Sequence, residues 1–350
     1  MAKTIVGVDI GSETIRAVEL GDPGKPRPTL LRYAEVPLTE GAVSRGEVLE
    51  PNTVGMLLKE LWNVGGFKTK KVVLGMGNQR VLARDLSVPT ATRQRIRESL
   101  PFVAQEMLPV PVQDALLDFY PVSESMTETG PMTHGLLIAA VKEAVVGNVK
   151  AVQAAGLTPV EVDLIPFALG RLLVSRPRLQ GTIALVDVGA NTTSVVVSAD
   201  GVPQFVRIIA AGGADVTAGL ASRLGIPPEE AERQKRLHGI APVEDSPASR
   251  AVAPAAMEVI SDLLVSLRNT ISYYSNTRPS HPVGGILLTG GGSLMPGFAD
   301  ALADFTRVPA RIADPIPSVA ISRHVDAQKL RFDQAGITVA LGLAMGSEAA

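Results

Sequence analysis

Residues 5–20 read IVGVDIGSETIRAVEL, and residues 183–198 read IALVDVGANTTSVVVS. The two stretches align without a gap. Asp9 meets Asp187, Gly11 meets Gly189 and Thr14 meets Thr192, a constant offset of 178 residues (187 − 9 and 192 − 14). Each copy is an apolar run, an Asp-x-Gly turn with small polar residues, and a second run rich in β-branched side chains. That pattern predicts a β-hairpin whose turn relies on Gly and on hydroxyl or amide groups. A hairpin repeated half a chain apart predicts two duplicated lobes.

The bulk composition permits this. A chain of 350 residues exceeds one ordinary core, and with 46% apolar and 19% charged residues it buries a large interior. The formal net charge of −2 gives no electrostatic reason for a nucleic-acid partner. Cysteine is absent, which excludes disulfides, thiolate metal sites and a cysteine nucleophile. Asp9, Glu13 and Arg16 break the early apolar run, so it reads as a first strand and not as a signal peptide. The apolar stretch 335–345 is shorter than the roughly 20 residues of a spanning helix, so no direct membrane insertion is expected.

Between the two hairpins the pattern predicts a helix at 53–64 and a strand at 72–76. A helix at 92–107 ends against Pro109 and Pro111. Strands at 115–122 and 135–141 follow, separated by a polar loop at 123–133, then a helix at 143–155 and a strand at 159–164. The block of roughly 84–160 reads as a small α+β insertion. Beyond the second hairpin, helices are expected at 215–224 and from Pro228 to Gly239. A solvated loop (241–254), a long helix (255–275), a buried strand in 284–297 and a helix from Phe298 complete the chain. Tyr273 and Tyr274 read as packing residues.

Three Gly-rich turns follow apolar runs: DIGSET (9–14), DVGANTT (187–193) and LTGGGSLMPG (288–297). Glycine lets backbone N–H groups crowd an anion where a Cβ would clash, and Ser or Thr adds donors. Two facing hairpins can clasp a triphosphate from opposite sides. Their aspartates would repel phosphate directly, so Asp9 and Asp187 are expected to act through a hydrated Mg²⁺. Arg16 is a candidate cation for the phosphates. The turn Gly290-Gly291-Gly292-Ser293 suits a close approach under a base or ribose. Singly, an Asp-x-Gly turn is most often only a turn, GGG only a bend, and Glu232 with Lys235 only a surface ion pair.

Taken in order, these motifs resemble the actin, heat-shock-70 and sugar-kinase superfamily. Gly212 and Gly213 in AGGADVT are similar to a Gly-Gly-x-Asp segment near the phosphates of those ATPases. Glu232 and Lys235 in AERQKRLHG are similar to a pair that flanks ribose and adenine. The resemblance adds Gly11, Ser12, Glu13, Thr14, Gly189, Ala190, Asn191 and Thr192 as nucleotide-binding candidates. The implied fold is α/β and actin-like, with ribonuclease H-like duplicated lobes and an FtsA-type inserted subdomain. Its expected parts are 1–83 with 161–180 and 320–350 (first lobe), 84–160 (insertion), 181–212 with 284–319 (second lobe) and 213–283 (helical subdomain).

Within that superfamily the chain most resembles the PilM family of type IV pilus assembly. The resemblance is carried by GVDIGSETIRAVEL, by PFVAQEMLPVPVQDALLDFYPV (101–122) and by the block 136–173. It implies ATP and Mg²⁺ as ligands. It also implies that the N-terminal cytoplasmic peptide of PilN docks between the first lobe and the insertion, around residues 81–88 and the helix from Thr92. Through PilN it implies a place at the inner face of the cytoplasmic membrane, and self-association stays open. Ile165 stands where many relatives have an acidic residue, and Ile cannot orient water, so at most slow ATP hydrolysis is expected. The alternatives are a small-molecule kinase, which would need Asp163 as its base, and an FtsA-like division protein. FtsA's amphipathic membrane helix finds no counterpart in the closing GLAMGSEAA. A heat-shock-70-like chaperone is disfavoured because no substrate-binding domain follows the ATPase core.

Overall fold

The computed structural model describes residues 3–128, 130–241, 247–326, 328, 330 and 333–346. The first half contains β1 (Thr4–Ile10), β2 (Thr14–Gly21), β3 (Thr29–Pro37), a small hairpin β4 and β5 (Val43–Ser44, Glu47–Val48) and α1 (Pro51–Gly65). It continues with β6 (Lys71–Met76), β7 (Val81–Pro89), α2 (Arg93–Val103), β8 (Ala115–Thr127), β9 (Gly130–Val141), α3 (Lys142–Ala154), β10 (Thr158–Leu164) and α4 (Ile165–Gly170). The second half contains β11 (Thr182–Val188), β12 (Thr193–Ala199), β13 (Val202–Ile209), α5 (Gly213–Leu224), α6 (Pro228–His238) and α7 (Pro247–Thr277). Then come β14 (Gly285–Thr289), α8 (Phe298–Thr306), β15 (Ala310–Ile312), β16 (Ala320–Ile321) and α9 (Gln334–Ala344).

The repeat in the sequence is a repeat in topology. The first large sheet runs β10-β6-β1-β2-β3-β16, and the second runs β13-β12-β11-β14-β15. In both, an antiparallel trio (β1-β2-β3 or β11-β12-β13) is extended on its first strand by parallel neighbours. Shifting β1 by 178 residues gives the bounds of β11 (4 to 182, 10 to 188). Helices fill the space between and outside the sheets. Val6, Val8, Leu58 and Leu61 form a core under α1 and α3, while Leu169 of α4 and Leu341 of α9 share one with Val18, Leu185 and Val196. On the far side of the second sheet, Val186 and Leu288 pack with Leu264 and Tyr274 of α7. Each fully buried aliphatic side chain here contributes roughly 1.5–3 kcal/mol.

Where the structure departs from the sequence pattern, the cause is that apolarity was the strand signal. The polar stretch 123–133 is not a loop but the continuation of two paired strands, Ser123 opposite His134 and Met126 opposite Pro131. A hairpin satisfies its own backbone there without a buried face. α3 packs on α1 and β10 joins β6 in the first large sheet, while Ala144 and Val145 of α3 share a core with Val81 of β7 and Leu136 of β9, so the end of the expected insertion touches both sheets. The expected loop at 241–254 is helical from Pro247, with Pro254 inside α7; its residues 242–246 lie outside the described residues. GGGS is a short 3-10 turn that ends β14 at Thr289. Among the described residues, no helix is long and apolar enough to cross a membrane.

One contact fixes the sheet that carries the first hairpin. A Cβ built on Gly7 would lie 2.0 Å from the Ala340 carbonyl oxygen and 2.5 Å from the Ala344 nitrogen. α9 therefore lies directly on the backbone of β1, two residues before Asp9. Gly7→Ala is expected to destabilise the fold by about 1–3 kcal/mol through overpacking. Gly24→Ala, whose Cβ meets nothing within 4 Å, is expected to stay within about 0.5 kcal/mol. Thermal unfolding of the two variants, measured side by side, checks this.

Candidate functional site

The two hairpin turns close in the same way. Gly11 N–H donates to the Thr14 carbonyl at 3.0 Å, and Gly189 N–H donates to the Thr192 carbonyl at 2.9 Å. Each turn puts its aspartate near the end of a central strand, Asp9 opposite Arg16 and Asp187 opposite Ser194. Ser12, Thr14, Ala190, Asn191 and Thr192 are half-buried around the turns, and Glu13 is exposed. The side chains of Ser12, Asn191 and Thr192 make no hydrogen bond among the described residues, so their polar groups face solvent.

The aspartates of the two turns lie near enough for the charge of Asp9 to act on Asp187. Burial pushes the Asp9 carboxyl up to about 6, with the Arg16 charge acting the other way. Burial and the negative charge of Asp9 push Asp187 up to about 7. Such a pair repels itself when ionised and invites a cation. Among the described residues no group of three or more His, Asp or Glu could hold a metal by itself. Two carboxylates and a shell of water is the donor set that suits Mg²⁺, which dehydrates reluctantly.

Arg16 is more committed than the sequence suggested. Its Nε donates to Glu35 Oε2 at 3.0 Å, and Tyr33 O–H donates to Glu35 and to Asp333. Asp9, Arg16 and Glu35 stand opposite one another on three neighbouring strands. Burial opposes the charge on Arg16, and Asp9, Tyr33, Asp333 and Glu35 outweigh it, raising its pKa. Gly336 makes room at the start of α9, since a Cβ there would stand 2.9 Å from Arg16 Nε. Arg16 is thus a counter-ion inside an acidic cluster. The register of β2 and β3 brings Tyr33 and Glu35 to it, and the start of α9 brings Asp333.

The second hairpin is gripped from two sides. Gly213 and Ala214 N–H donate to the Gly189 and Ala190 carbonyls at 2.9 and 2.8 Å, and Gly212 N–H donates to the Asp215 carboxylate at 2.8 Å. The amides of Gly212 and Gly213 are therefore spent within the protein, docking α5 on the turn. A Cβ on Gly290 would fall 2.6 Å from Asp187 Oδ1, and its φ of 82° favours glycine as well. Ser293 donates to the Gly290 carbonyl at 2.7 Å and closes that turn. Gly291 faces open space, and Gly292 packs on Val188 and lies near Gly213.

Glu232 and Lys235 are not a surface pair. Lys235 is buried, and its Nζ donates to the Gly213 carbonyl at 3.0 Å and to Thr217 Oγ1 at 2.9 Å. Glu232 accepts from Lys235, Thr217 and Arg236. Burial alone would raise its carboxyl, but these three donors hold it at about 2. The pair ties α6 to the start of α5, beside the glycine turn. Thr217, one helical turn past Gly213, closes the stretch AGGADVT, of which the sequence reading singles out only Gly212 and Gly213. Asp163 stands on β10 opposite Gly75, with β6 between it and Asp9, and is buried and paired with Arg171 at 2.8 Å. Ile165 packs over Gly75 and Gly77, where added Cβ atoms would come within 2.8 and 3.0 Å of it.

The model of the family described as "Type IV pilus assembly protein PilM" matches residues 7–348. A solved structure described as the PilM-PilN type IV pilus biogenesis complex is similar over 97% of both chains, with a TM-score of 0.84 and 27% identity. The cell division protein FtsA of Bacillus subtilis is 22% identical over 347 residues, covering 89% of this chain and 78% of FtsA. MreB5 of Spiroplasma citri bound to AMPPNP shares the fold at a TM-score of 0.55 and 14% identity, covering 98% and 95% of the two chains. The fold is actin-like.

The raised carboxyls set a pH dependence. The folded state holds the Asp187 proton between its ordinary value of 3.8 and about 7. Its contribution to stability is complete below that window and is lost as pH rises through it. The protein without nucleotide is expected to lose stability relative to Asp187→Asn between about pH 4 and pH 7, and melts of both across that range read it directly.

Proposed function

Because the chain belongs to the PilM family of type IV pilus assembly proteins, we propose that it is an ATP-binding component of the platform that assembles the pilus. It binds Mg-ATP between the Asp9 and Asp187 hairpins and docks the N-terminal cytoplasmic peptide of PilN between its first lobe and the inserted sheet. The observation that carries the reading is the pair of matched hairpins, with the charge of Asp9 acting on Asp187, in a chain of this family. The four-part division expected from the sequence is its frame.

In this reading Asp9 and Asp187 orient a hydrated Mg²⁺ through water, and the metal, when bound, screens the phosphates. Ser12, Asn191 and Thr192 offer donors to phosphate oxygens from the two turns. Gly290, Gly291 and Gly292 allow the base and ribose to approach backbone, and the Lys235–Glu232 pair borders them. MreB5, which shares the fold, is bound to AMPPNP, and this supports a nucleotide here. Turnover is slow at most, since Ile165 supplies no group to activate water. The kinase alternative loses its base, because the Asp163 carboxylate is held by Arg171.

The partner reading is supported by the likeness to a PilM-PilN complex. The docking surface is proposed around β7 and α2, where Phe102 and Val103 are exposed. An extended or helical tail held there would keep the protein at the inner face of the membrane with no span of its own.

Asp9→Ala and Asp187→Ala are expected to weaken Mg-ATP binding on the order of 10- to 100-fold. Unchanged affinity in both variants, measured by calorimetry, would refute the metal role. A PilN N-terminal peptide is expected to bind with and without Mg-ATP; failure in both conditions sinks the partner reading and leaves the fold untouched.

A further inference from the structure

The inserted sheet touches the second lobe as well as the first. Its root lies in the first lobe, where the Tyr120 ring packs 4.8 Å from Phe167, and Val81 and Leu136 share a core with Leu169. Its β7 edge lies against β13, the edge strand of the second large sheet. There Arg278, just past α7, donates to Asp85 of β7 at 3.0 Å. The Arg278 guanidinium lies 5.0 Å over the ring of Tyr274, which in turn packs on Phe205 of β13. Beside the pair is a cavity of about 310 Å³, walled by Ser87, Ser123 and His134 of the inserted sheet and by Gln204 of β13. Two bodies that meet around a polar cavity are not close-packed and can shift against each other. The ion pair is a charged link between them at this edge, beside the contacts of β13 with the inserted sheet.

Strand β13 carries that link to the cleft. From Phe205 it runs to Ile209, and four residues later Gly213 and Ala214 donate to the Gly189 and Ala190 carbonyls of the Asp187 turn. β13 thus touches the inserted sheet, and α5, which follows it, is hydrogen-bonded to the candidate phosphate turn. An element in contact with both regions offers a route by which each can bias the other, and coupling follows where that element has two arrangements that both sites bias.

We propose that the Asp85–Arg278 ion pair is a latch that couples the inserted sheet to the Asp187 turn through β13. Whatever docks on the inserted sheet then shifts nucleotide affinity, and nucleotide shifts docking by the same factor. The proposal rests on the nucleotide reading above for its ligand. Arg278 is 27% exposed and Asp85 56%, so the latch is weak, a bias of about two- to five-fold.

Hydrogen exchange tests the latch without any ligand. Asp85→Asn and Arg278→Gln are each expected to speed amide exchange along β13 and at Gly213 and Ala214 by about two- to five-fold. The charge-swapped double variant, Asp85→Arg with Arg278→Asp, returns it toward the wild-type rate, and Mg-ATP affinity follows the same pattern. Faster exchange confined to β7, or a swap that restores nothing, overturns the latch. A wild-type chain with no affinity for Mg-ATP sinks the nucleotide reading alone. Should a single variant misfold, Asp85→Cys with Arg278→Cys tests the reverse. The chain has no cysteine of its own, so a short bismaleimide bridges only that pair, and slowed exchange at Gly213 is expected. Unchanged exchange there overturns the proposal.

Discussion

Holding a buried Asp9 and a half-buried Asp187 close enough for one charge to act on the other is the constraint on which the site depends. Desolvation pushes both Asp9 and Asp187 well above the ordinary carboxylate range, and the charge of Asp9 adds to the burden on Asp187. Protein groups offset this on one side only. Arg16 faces Asp9, but it is shared with Glu35 and sits near Asp333, so its charge is already divided among acids. Among the described residues no comparable cation acts on Asp187. A divalent ion with its water shell completes such a site without requiring a third carboxylate.

The surrounding backbone is arranged to hold these two groups still. α9 lies on Gly7 and crowds Gly75, two glycines of the first sheet that border Asp9. On the second lobe, the start of α5 and the turn at Gly290 clamp the Asp187 hairpin from both sides. The glycines here let backbone meet backbone. That is why amides at Gly212 and Gly213, which the motif suggested for a ligand, serve the hairpin instead. The same logic explains Lys235: it is buried because the Gly213 carbonyl and Thr217 receive it.

Much of this was legible because the duplication is written in the residues that make the turns. The offset between Asp9 and Asp187 recurs as an offset between whole strands, since both copies spend the same residue types on the same hairpin. What stayed hidden depended on long-range packing. Nothing local in Ser123–Thr127 announces a strand; its pairing with β9 does. The helical start of α7 reads as a loop because Pro254 and the small residues around it signal a break. Glu35 and Tyr33 carry no motif, and with Thr217 they become site residues only through strand register or the packing of α5 on α6. Asp85 and Arg278, 193 residues apart, could not be paired from sequence.

Proton release on binding tests the central claim most directly. If Asp9 and Asp187 take up a cation, their raised carboxyls must ionise as it binds, and calorimetry in buffers of different ionisation heats counts the protons. With Mg-ADP near pH 6, the account predicts that the wild-type chain releases more protons than Asp187→Asn, and that the difference vanishes near pH 8. Equal proton release by the two proteins at both pH values, with Mg-ADP bound, would contradict the pairing of these aspartates around a metal.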